Sequence, residues 1–547
     1  VVLLVIDQFR ADYLTRFSGR FLPPSTSAGV GGFRYLMEQG AYYPLGEFEV
    51  LQNMTCVGHA TFLTGSYPYQ NGIPLNHWFE RGDGTQPGRK HYCVEDPEHR
   101  IIGVAPDPKR RNGTSPRALV ASTLGDELKN AGFRSRVVAI AGKDRSAILM
   151  AGRRADAALW WDTLTRQWVS STFYFRDGKL PAWVRERNAW LAGQNPQALT
   201  EWKLGAERPS GLSLVDNLVD PARTHGLGKD FTHATPLANP ASFSLPLGIE
   251  ETAGLATAAV DAMGLGTGPE PDLLAVSFSS HDYLGHTYGP NSRELEEVTV
   301  LEDRVLAKFF NHLDRKVPGG LRNVTVVLTG DHGTPPNPDW LNQVGVEAGR
   351  IDEKALRERL EAHLVAAYGK PRQGESWVAE IIEANVYLNR AALSALERGK
   401  AVTRNEVEQR VKSFLLGLPE FAFVLTAGEM AAGAPPPGLH GRQALLTYFP
   451  ARSGDLIAIP KPHFFVDPSD TCNHHTGYSY DRYVPLILAG PGIRPGKRPE
   501  SAKITDLAPT LAFLVGVLPP NLSEGRVLSE ALLPREGKTT NGVPKRR

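Results

Sequence analysis

The chain opens on an unbroken apolar run, Val1-Val2-Leu3-Leu4-Val5-Ile6, which stops at Asp7 and Gln8. Runs of similar character recur at Arg136–Ala141, Leu273-Leu274-Ala275-Val276-Ser277-Phe278, Val324-Thr325-Val326-Val327-Leu328 and Pro485-Leu486-Ile487-Leu488. Short continuous runs rich in Val, Ile and Leu read as strands buried on both faces. Helical patterns lie between them, at Phe33–Gln39, at 117–130 behind Ser115 and Pro116, and at Thr505–Val515. Strands alternating with helices predict an α/β fold: a doubly wound, mostly parallel central sheet flanked by helices.

Two stretches break this alternation. Between about 150 and 245, Trp160, Trp161, Trp168, Trp183, Trp190 and Trp202 crowd among prolines and polar loops. Between 338 and 450 a charged helical segment, Asp352–Ala366, precedes Trp377–Leu388 and a helix near Asn405–Phe414. Both read as cap lobes inserted into one catalytic domain spanning 1–537. The segment 538–547 is polar and basic and reads as a disordered tail.

Polar chemistry collects where the apolar runs end. Asp7 closes the first; Gly142-Lys143-Asp144-Arg145 follows Arg136–Ala141. Ser280-His281-Asp282-Tyr283-Leu284-Gly285-His286 and Thr329-Gly330-Asp331-His332-Gly333 follow two more. A carboxylate and an imidazole delivered twice from strand ends suit a pair of borderline-soft divalent metals. In open α/β sheets, ligands bind in the crevice beyond the carboxyl ends of the strands. The pattern therefore points to a two-metal hydrolase. Thr55 is a candidate nucleophile: it stands in Asn53-Met54-Thr55-Cys56-Val57-Gly58, a loop entering a helix whose dipole favours an alkoxide. A plain helix N-cap is the other reading of Thr55. Lys143 and Arg145, two apart on an extended backbone, can face one dianionic phosphoryl group together, or can form a solvated basic turn.

Composition narrows the field. The 547 residues carry a net charge of +1, so no global field draws the chain to nucleic acid or an acidic membrane. No apolar run reaches the roughly 18 residues of a membrane span. The abrupt start inside a strand suggests a removed leader. Cys56, Cys93 and Cys472 make no disulfide framework; a single Cys93–Cys472 bridge and separate thiols are both open.

These residues resemble the alkaline phosphatase superfamily, and within it the PafA-type, phosphate-insensitive alkaline phosphatases that use a threonine nucleophile. The resemblance runs through Leu4-Val5-Ile6-Asp7-Gln8, Asn53-Met54-Thr55, Asn76-His77-Trp78, Tyr92-Cys93-Val94-Glu95-Asp96 and Gly113-Thr114-Ser115-Pro116. It continues through Lys143-Asp144-Arg145-Ser146-Ala147, Leu180-Pro181-Ala182-Trp183, Asp282-Tyr283-Leu284-Gly285-His286, Asp331-His332-Gly333 and Tyr478-Ser479-Tyr480-Asp481-Arg482. It implies two zinc ions, one on Asp282, His286 and a late histidine, the other on Asp7, Asp331, His332 and Thr55. Asn76, Lys143 and Arg145 match the family's phosphate-binding trio, and the Lys–Arg pair marks monoesterases. The family usually has His-Gly-(Thr/Ser) seven residues before the Tyr-Asp aspartate; counting back from Asp481 gives His474, with His475 where the glycine would be. His474 is the expected ligand and His475 the alternate.

The resemblance further implies small phosphate monoesters as substrates, a phosphothreonine intermediate on Thr55, a monomer, and a periplasmic or secreted location. A nucleotide pyrophosphatase/phosphodiesterase is the nearest rival, and an inactive zinc- or phosphate-binding module a second. A sulfatase fits poorly, because Cys56 is followed by Val57-Gly58-His59-Ala60 and not by the C/S-x-P-x-R signature.

Overall fold

Side chains alternate between the faces of a strand, and the first run does so: Val2, Leu4 and Ile6 enter one apolar core while Leu3 and Val5 enter another. The Leu273–Phe278 strand divides in the same way, with Leu274, Val276 and Phe278 on the first side and Leu273 and Ala275 on the second. A sheet apolar on both faces must be covered on both. Helices Pro246–Met263 and Arg293–Lys316 bury Ile249, Val260, Val298 and Phe310 in the first core. Helices Thr55–Thr64, Asp144–Ala151 and Leu507–Val515 bury Val57, Ile148, Leu149 and Leu511 in the second.

The computed structural model describes residues 1–534 except 83–87, 109–112, 206–217, 373–374, 401 and 434–436. The tail expected at 538–547 lies outside the described residues. In the twelve-stranded central sheet, strands Val326–Gly330, Val2–Ile6, Leu273–Phe278, Val137–Ala141 and Ala157–Asp162 run side by side and parallel. Antiparallel strands extend both sides: Tyr483–Ala489 and Gly40–Glu47 beyond Val326–Gly330, and Gln167–Ser171 and Glu95–Ile102 beyond Ala157–Asp162. The doubly wound, mostly parallel sheet expected from the sequence is the observed architecture.

Three local expectations change. The tryptophan-rich stretch from about 150 does not all lie outside the sheet, since Ala157–Asp162 and Gln167–Ser171 are strands of it, and Trp160, Trp161 and Trp168 are buried core. Aromatic residues suit a buried antiparallel strand pair as well as a cap. The helix expected over 117–130 begins only at Leu124, where Thr123 and Asp126 form a reciprocal capping box. The disulfide joins Cys56 to Cys93, and Cys472 is a free buried thiol, so no Cys93–Cys472 bridge forms. Asn76 explains the pairing. Its Oδ1 accepts the Cys56 N–H at 2.9 Å and its backbone carbonyl accepts the Cys93 N–H at 3.0 Å, which folds the Cys93 segment over the start of the Thr55–Thr64 helix.

Between 349 and 466 a second sheet forms. Strands Val378–Ile382, Asn385–Leu388, Leu456–Pro460 and Phe421–Thr426 pair antiparallel in that order. Helices Glu353–Tyr368 and Arg404–Leu416 cover it around a separate core that includes Leu360, Val386, Val411 and Val424. Among the described residues no helix is long and apolar enough to cross a membrane.

Candidate active site

Strand register alone gathers the acidic groups. Ile6 lies opposite Gly330 on one side and Phe278 on the other, so the chain leaves all three strands at one level. Asp7 and Asp331 emerge there as neighbours. Beyond Phe278 the chain enters helix Ser280–Tyr288, which places Asp282 and His286 one turn apart on one face. Gln8 links the two groups: its N–H donates to Asp331 Oδ1 at 2.9 Å and its Nε2 to Asp282 Oδ1 at 3.0 Å. Two glycines permit the approach. A Cβ on Gly58 would stand 2.6 Å from the Asp331 carbonyl oxygen, and one on Gly285 would collide with the Gln8 side chain.

Two trios result: Asp7, Asp331 and His332, and Asp282, His286 and His474, with the potential ligand atoms of each trio within 4.8 Å of one another. The three imidazoles share one arrangement. His286 Nδ1 lies 2.9 Å from the Cys472 carbonyl, His332 Nδ1 3.0 Å from the Gly333 carbonyl and His474 Nδ1 2.7 Å from the Asn53 carbonyl. A carbonyl only accepts, so each Nδ1 carries the proton and each Nε2 keeps its lone pair for a metal. Asp7 Oδ1, Asp331 Oδ2 and His332 Nε2 are buried without a hydrogen-bond partner. Buried polar atoms seldom go unmatched, and this N/O donor set fits zinc. His475 turns away from this role. Its backbone is left-handed, with φ of 87°, and its ring packs edge-on against His474. That φ is one that favours glycine, which accounts for the family pattern at this position.

Thr55 is the first residue of its helix and not the cap, which is Met54. Its Oγ1 lies 3.4 Å from Lys143 Nζ and 3.3 Å from Arg145 Nη2. Lys143 also reaches Asp7 Oδ2 at 2.5 Å and Asp282 Oδ2 at 2.6 Å, so one ammonium touches both trios. Arg145 Nη1 contacts the Tyr92 hydroxyl at 3.4 Å, and that hydroxyl donates to Asp144 at 2.5 Å. Asn76 Oδ1 is committed to the Cys56 N–H, which leaves its Nδ2 as a donor beside Thr55.

Burial, reinforced by Asp331, pushes Asp7 up to about 7. Burial acts the same way on Asp282, but His286 and Lys143 outweigh it and hold that carboxyl well below its ordinary range. Burial alone would lower Lys143; Asp282 and Asp7 overcome it and raise the ammonium. Burial drops His332 to about 4 and, with His332 beside it, holds His474 well below the imidazole range. His286 moves the other way: Asp282 and Asp470 overcome burial and raise it.

The residues singled out by sequence, Asp7, Thr55, Asn76, Lys143, Arg145, Asp282, His286, Asp331, His332 and His474, all lie around this one crevice. Sequence reasoning missed Gln8, His59 and Asp470. Gln8 directly follows Asp7. His59 stands one helical turn after Thr55, and its Nδ1 lies 2.9 Å from the Thr55 carbonyl and 3.3 Å from Asp331 Oδ2. Asp470 Oδ2 lies 3.1 Å from His286 Nδ1 and had no sequence signal, because it sits in the loop after a short strand, Phe464–Val466, that is not part of the central sheet.

The type I phosphodiesterase/nucleotide pyrophosphatase family matches residues 1–481. A protein of Myroides odoratus named calcium-transporting ATPase is 32% identical over 97% of this chain and 94% of its own length. Alkaline phosphatase PhoV of Synechococcus elongatus is 31% identical over 97% of this chain and 92% of its own. The crystal structure of wild-type alkaline phosphatase PafA superposes with a TM-score of 0.81 at 28% identity, covering 97% of this chain and 98% of that one. The chain belongs to the type I phosphodiesterase/nucleotide pyrophosphatase family of the alkaline phosphatase superfamily, among its PafA-type alkaline phosphatases.

Proposed function

We propose that this protein is a zinc-dependent alkaline phosphatase that hydrolyses phosphate monoesters through a phosphothreonine on Thr55. The observation that carries the reading is the convergence of Lys143 and Arg145 on Thr55 Oγ1, at 3.4 and 3.3 Å, between two trios of metal-ligand type. Asp7, Asp331, His332 and Thr55 would hold one zinc, and Asp282, His286 and His474 the other. Such a pair supplies positive charge at the attacking and leaving oxygens of an in-line displacement.

The chain's own groups do the rest. Thr55 attacks phosphorus from the first turn of its helix, where the dipole favours an oxyanion. Asn76, Lys143 and Arg145 hold the non-bridging oxygens, a task suited to a loose transition state in which positioning and charge dominate. The ester oxygen departs on the side of His286 and His474. Hydrolysis of the phosphothreonine then frees Thr55.

The nearest second reading is a phosphodiesterase, the activity in the family's name. A diester has one fewer anionic oxygen for the Lys143–Arg145 pair, so that pair favours the monoester. A periplasmic or secreted location fits the Cys56–Cys93 disulfide. The test is zinc per chain together with kcat/KM on matched aryl monoester, diester and sulfate. Two zinc ions and a marked monoester preference are expected. The double change Lys143→Ala, Arg145→Ala should cost the monoester at least about a hundredfold more than the diester. Equal losses on both would remove the monoester reading.

A further inference from the structure

A cavity of about 410 Å³ opens beside the Asp282, His286 and His474 trio. Helix Ser280–Tyr288 supplies Tyr283 and His286 to its wall, and other loops add His225, Phe243 and Asp470, with Thr163 at the rim. None of Asp7, Thr55, Asp331 and His332 lines it. Tyr283 connects it to the phosphoryl position, because its ring lies 5.3 Å from Lys143 Nζ, which in turn lies 3.4 Å from Thr55 Oγ1. In an in-line displacement the leaving oxygen departs opposite the nucleophile, and His286, which belongs to the trio assigned to that oxygen, is in the wall of this cavity.

The charge of the wall is one-sided. Among the described residues that line it there is no Lys or Arg. Asp470 is. Its Oδ2 accepts from Asn473 Nδ2 at 3.0 Å and faces His286 Nδ1 at 3.1 Å. Its Oδ1 has His225 Nε2 at 3.7 Å, beyond a direct hydrogen bond. Phe243, held by stacking on Trp161 at 4.7 Å, and Tyr283 add aromatic surface, which favours neutral or cationic groups over anions.

We propose that this cavity binds the alcohol portion of the substrate and selects it by charge, taking neutral and cationic alcohols and disfavouring those that carry a second anionic group. The proposal rests on the phosphatase reading and deepens it. Lys143 and Arg145 are spent on the phosphoryl oxygens, while the part of the alcohol beyond its ester oxygen meets the Asp470 carboxylate.

The test compares the zinc-loaded enzyme on three primary alkyl phosphates of similar length: 3-aminopropyl phosphate, butyl phosphate and 3-carboxypropyl phosphate. Phenyl phosphate serves as the reference. The amino ester is expected to exceed the carboxy ester in kcat/KM by roughly tenfold, the order expected for a change of two unit charges about 6 Å from a carboxylate in a hydrated cleft. Thr163→Lys, at an exposed rim position, is expected to shrink that ratio at least about threefold. Asp470→Asn, read with zinc content because Asp470 touches His286, is expected to bring the ratio near one in the zinc-loaded fraction. Equal turnover of the two charged esters by the wild-type enzyme would overturn the proposal, as would a ratio that neither variant moves. Those failures leave phenyl phosphate hydrolysis intact, whereas loss of the phosphatase reading would show as no hydrolysis of any ester.

Discussion

The two halves of the candidate metal site are built differently. On the nucleophile side, Asp7 and Asp331 leave adjacent parallel strands, and Asp7, Asp331 and His332 are fully buried. Nothing there can move without disturbing the sheet. On the leaving-group side, Asp282 and His286 ride one turn of a helix, His474 comes from a loop, and His286 is partly exposed beside a cavity. On the proposed reading, pre-organisation is therefore strongest where the attacking oxygen would be held in line, and openness lies where alcohols would enter and leave. Charge differs too. The nucleophile half carries a carboxyl raised by burial and by Asp331, while in the other half Asp282 is stabilised as an anion.

The sharpest way to break this comparison is to remove the nucleophile. Thr55→Ala deletes one hydroxyl from the rigid half and leaves Asp282, His286 and His474 intact. Turnover of an aryl phosphate is expected to fall by at least about a thousandfold, because no neighbouring side chain replaces an activated nucleophile. Zinc on the leaving-group half should persist, so zinc per chain falls by no more than one. Near wild-type turnover with zinc bound would show that Thr55 is not the attacking group. A matched change, His286→Ala, is expected to lower zinc content at its own half and leave the Asp7 half loaded. Joint loss of both metals from either variant would mean that the halves form one unit.

The rigid half was also the more legible one in the sequence. Asp7 and Asp331 follow apolar runs directly, and a buried parallel sheet brings the ends of such runs to one edge whatever the loops do. Lys143 was legible for the same reason. His474 lies in a loop, and only the spacing back from Asp481 singled it out. His59 and Asp470 act through contacts that no spacing reveals: His59 across the helix to Asp331, and Asp470 across a loop to His286. The Cys56–Cys93 pairing depends on how the segment after Asn76 folds back over a helix start, a tertiary fact with no local signature. The Trp160–Trp168 stretch reads as a cap from sequence because aromatic density looks alike in an antiparallel strand pair and an inserted lobe.

Acidification separates the halves by the group that holds the competing proton. Asp7, raised to about 7 in the metal-free protein, stays protonated below that pH, and the proton must leave before a zinc ion binds. Zinc affinity of the nucleophile half should therefore fall as pH drops through about 7 and be unaffected well above it. In the other half Asp282 is already an anion, and the proton sits on His286, which Asp282 and Asp470 raise. That proton too must leave before a metal binds, so this half also loses affinity as pH falls, through an imidazole and not through a carboxyl. Zinc per chain measured against pH in a buffered-zinc series tests both statements, and Asp7→Asn should abolish the step near 7 while leaving the loss at the other half. A single shared step, unchanged by Asp7→Asn, would contradict the assignment.

The smallest expected effect lies beside the leaving-group half, at His475, whose ring packs on His474. Its φ of 87° is costly for any residue with a Cβ. Yet the His475 ring packs edge-on on His474 at 4.4 Å, so simple removal mixes relief of strain with loss of packing. Comparing two truncations separates these. His475→Ala and His475→Gly both delete the ring, but only glycine also relaxes the backbone. Glycine loses more conformational freedom on folding, and at a left-handed position that cost is outweighed. The glycine variant is expected to be more stable than the alanine variant by about 1 kcal/mol in denaturant unfolding of the zinc-loaded protein. Both should keep full zinc content, since His474 and not His475 offers its Nε2 to the trio. If the alanine variant is as stable as the glycine variant, the position stores no backbone strain. If either loses zinc as His474→Ala would, the alternate ligand is the true one and the leaving-group half is built on a different histidine.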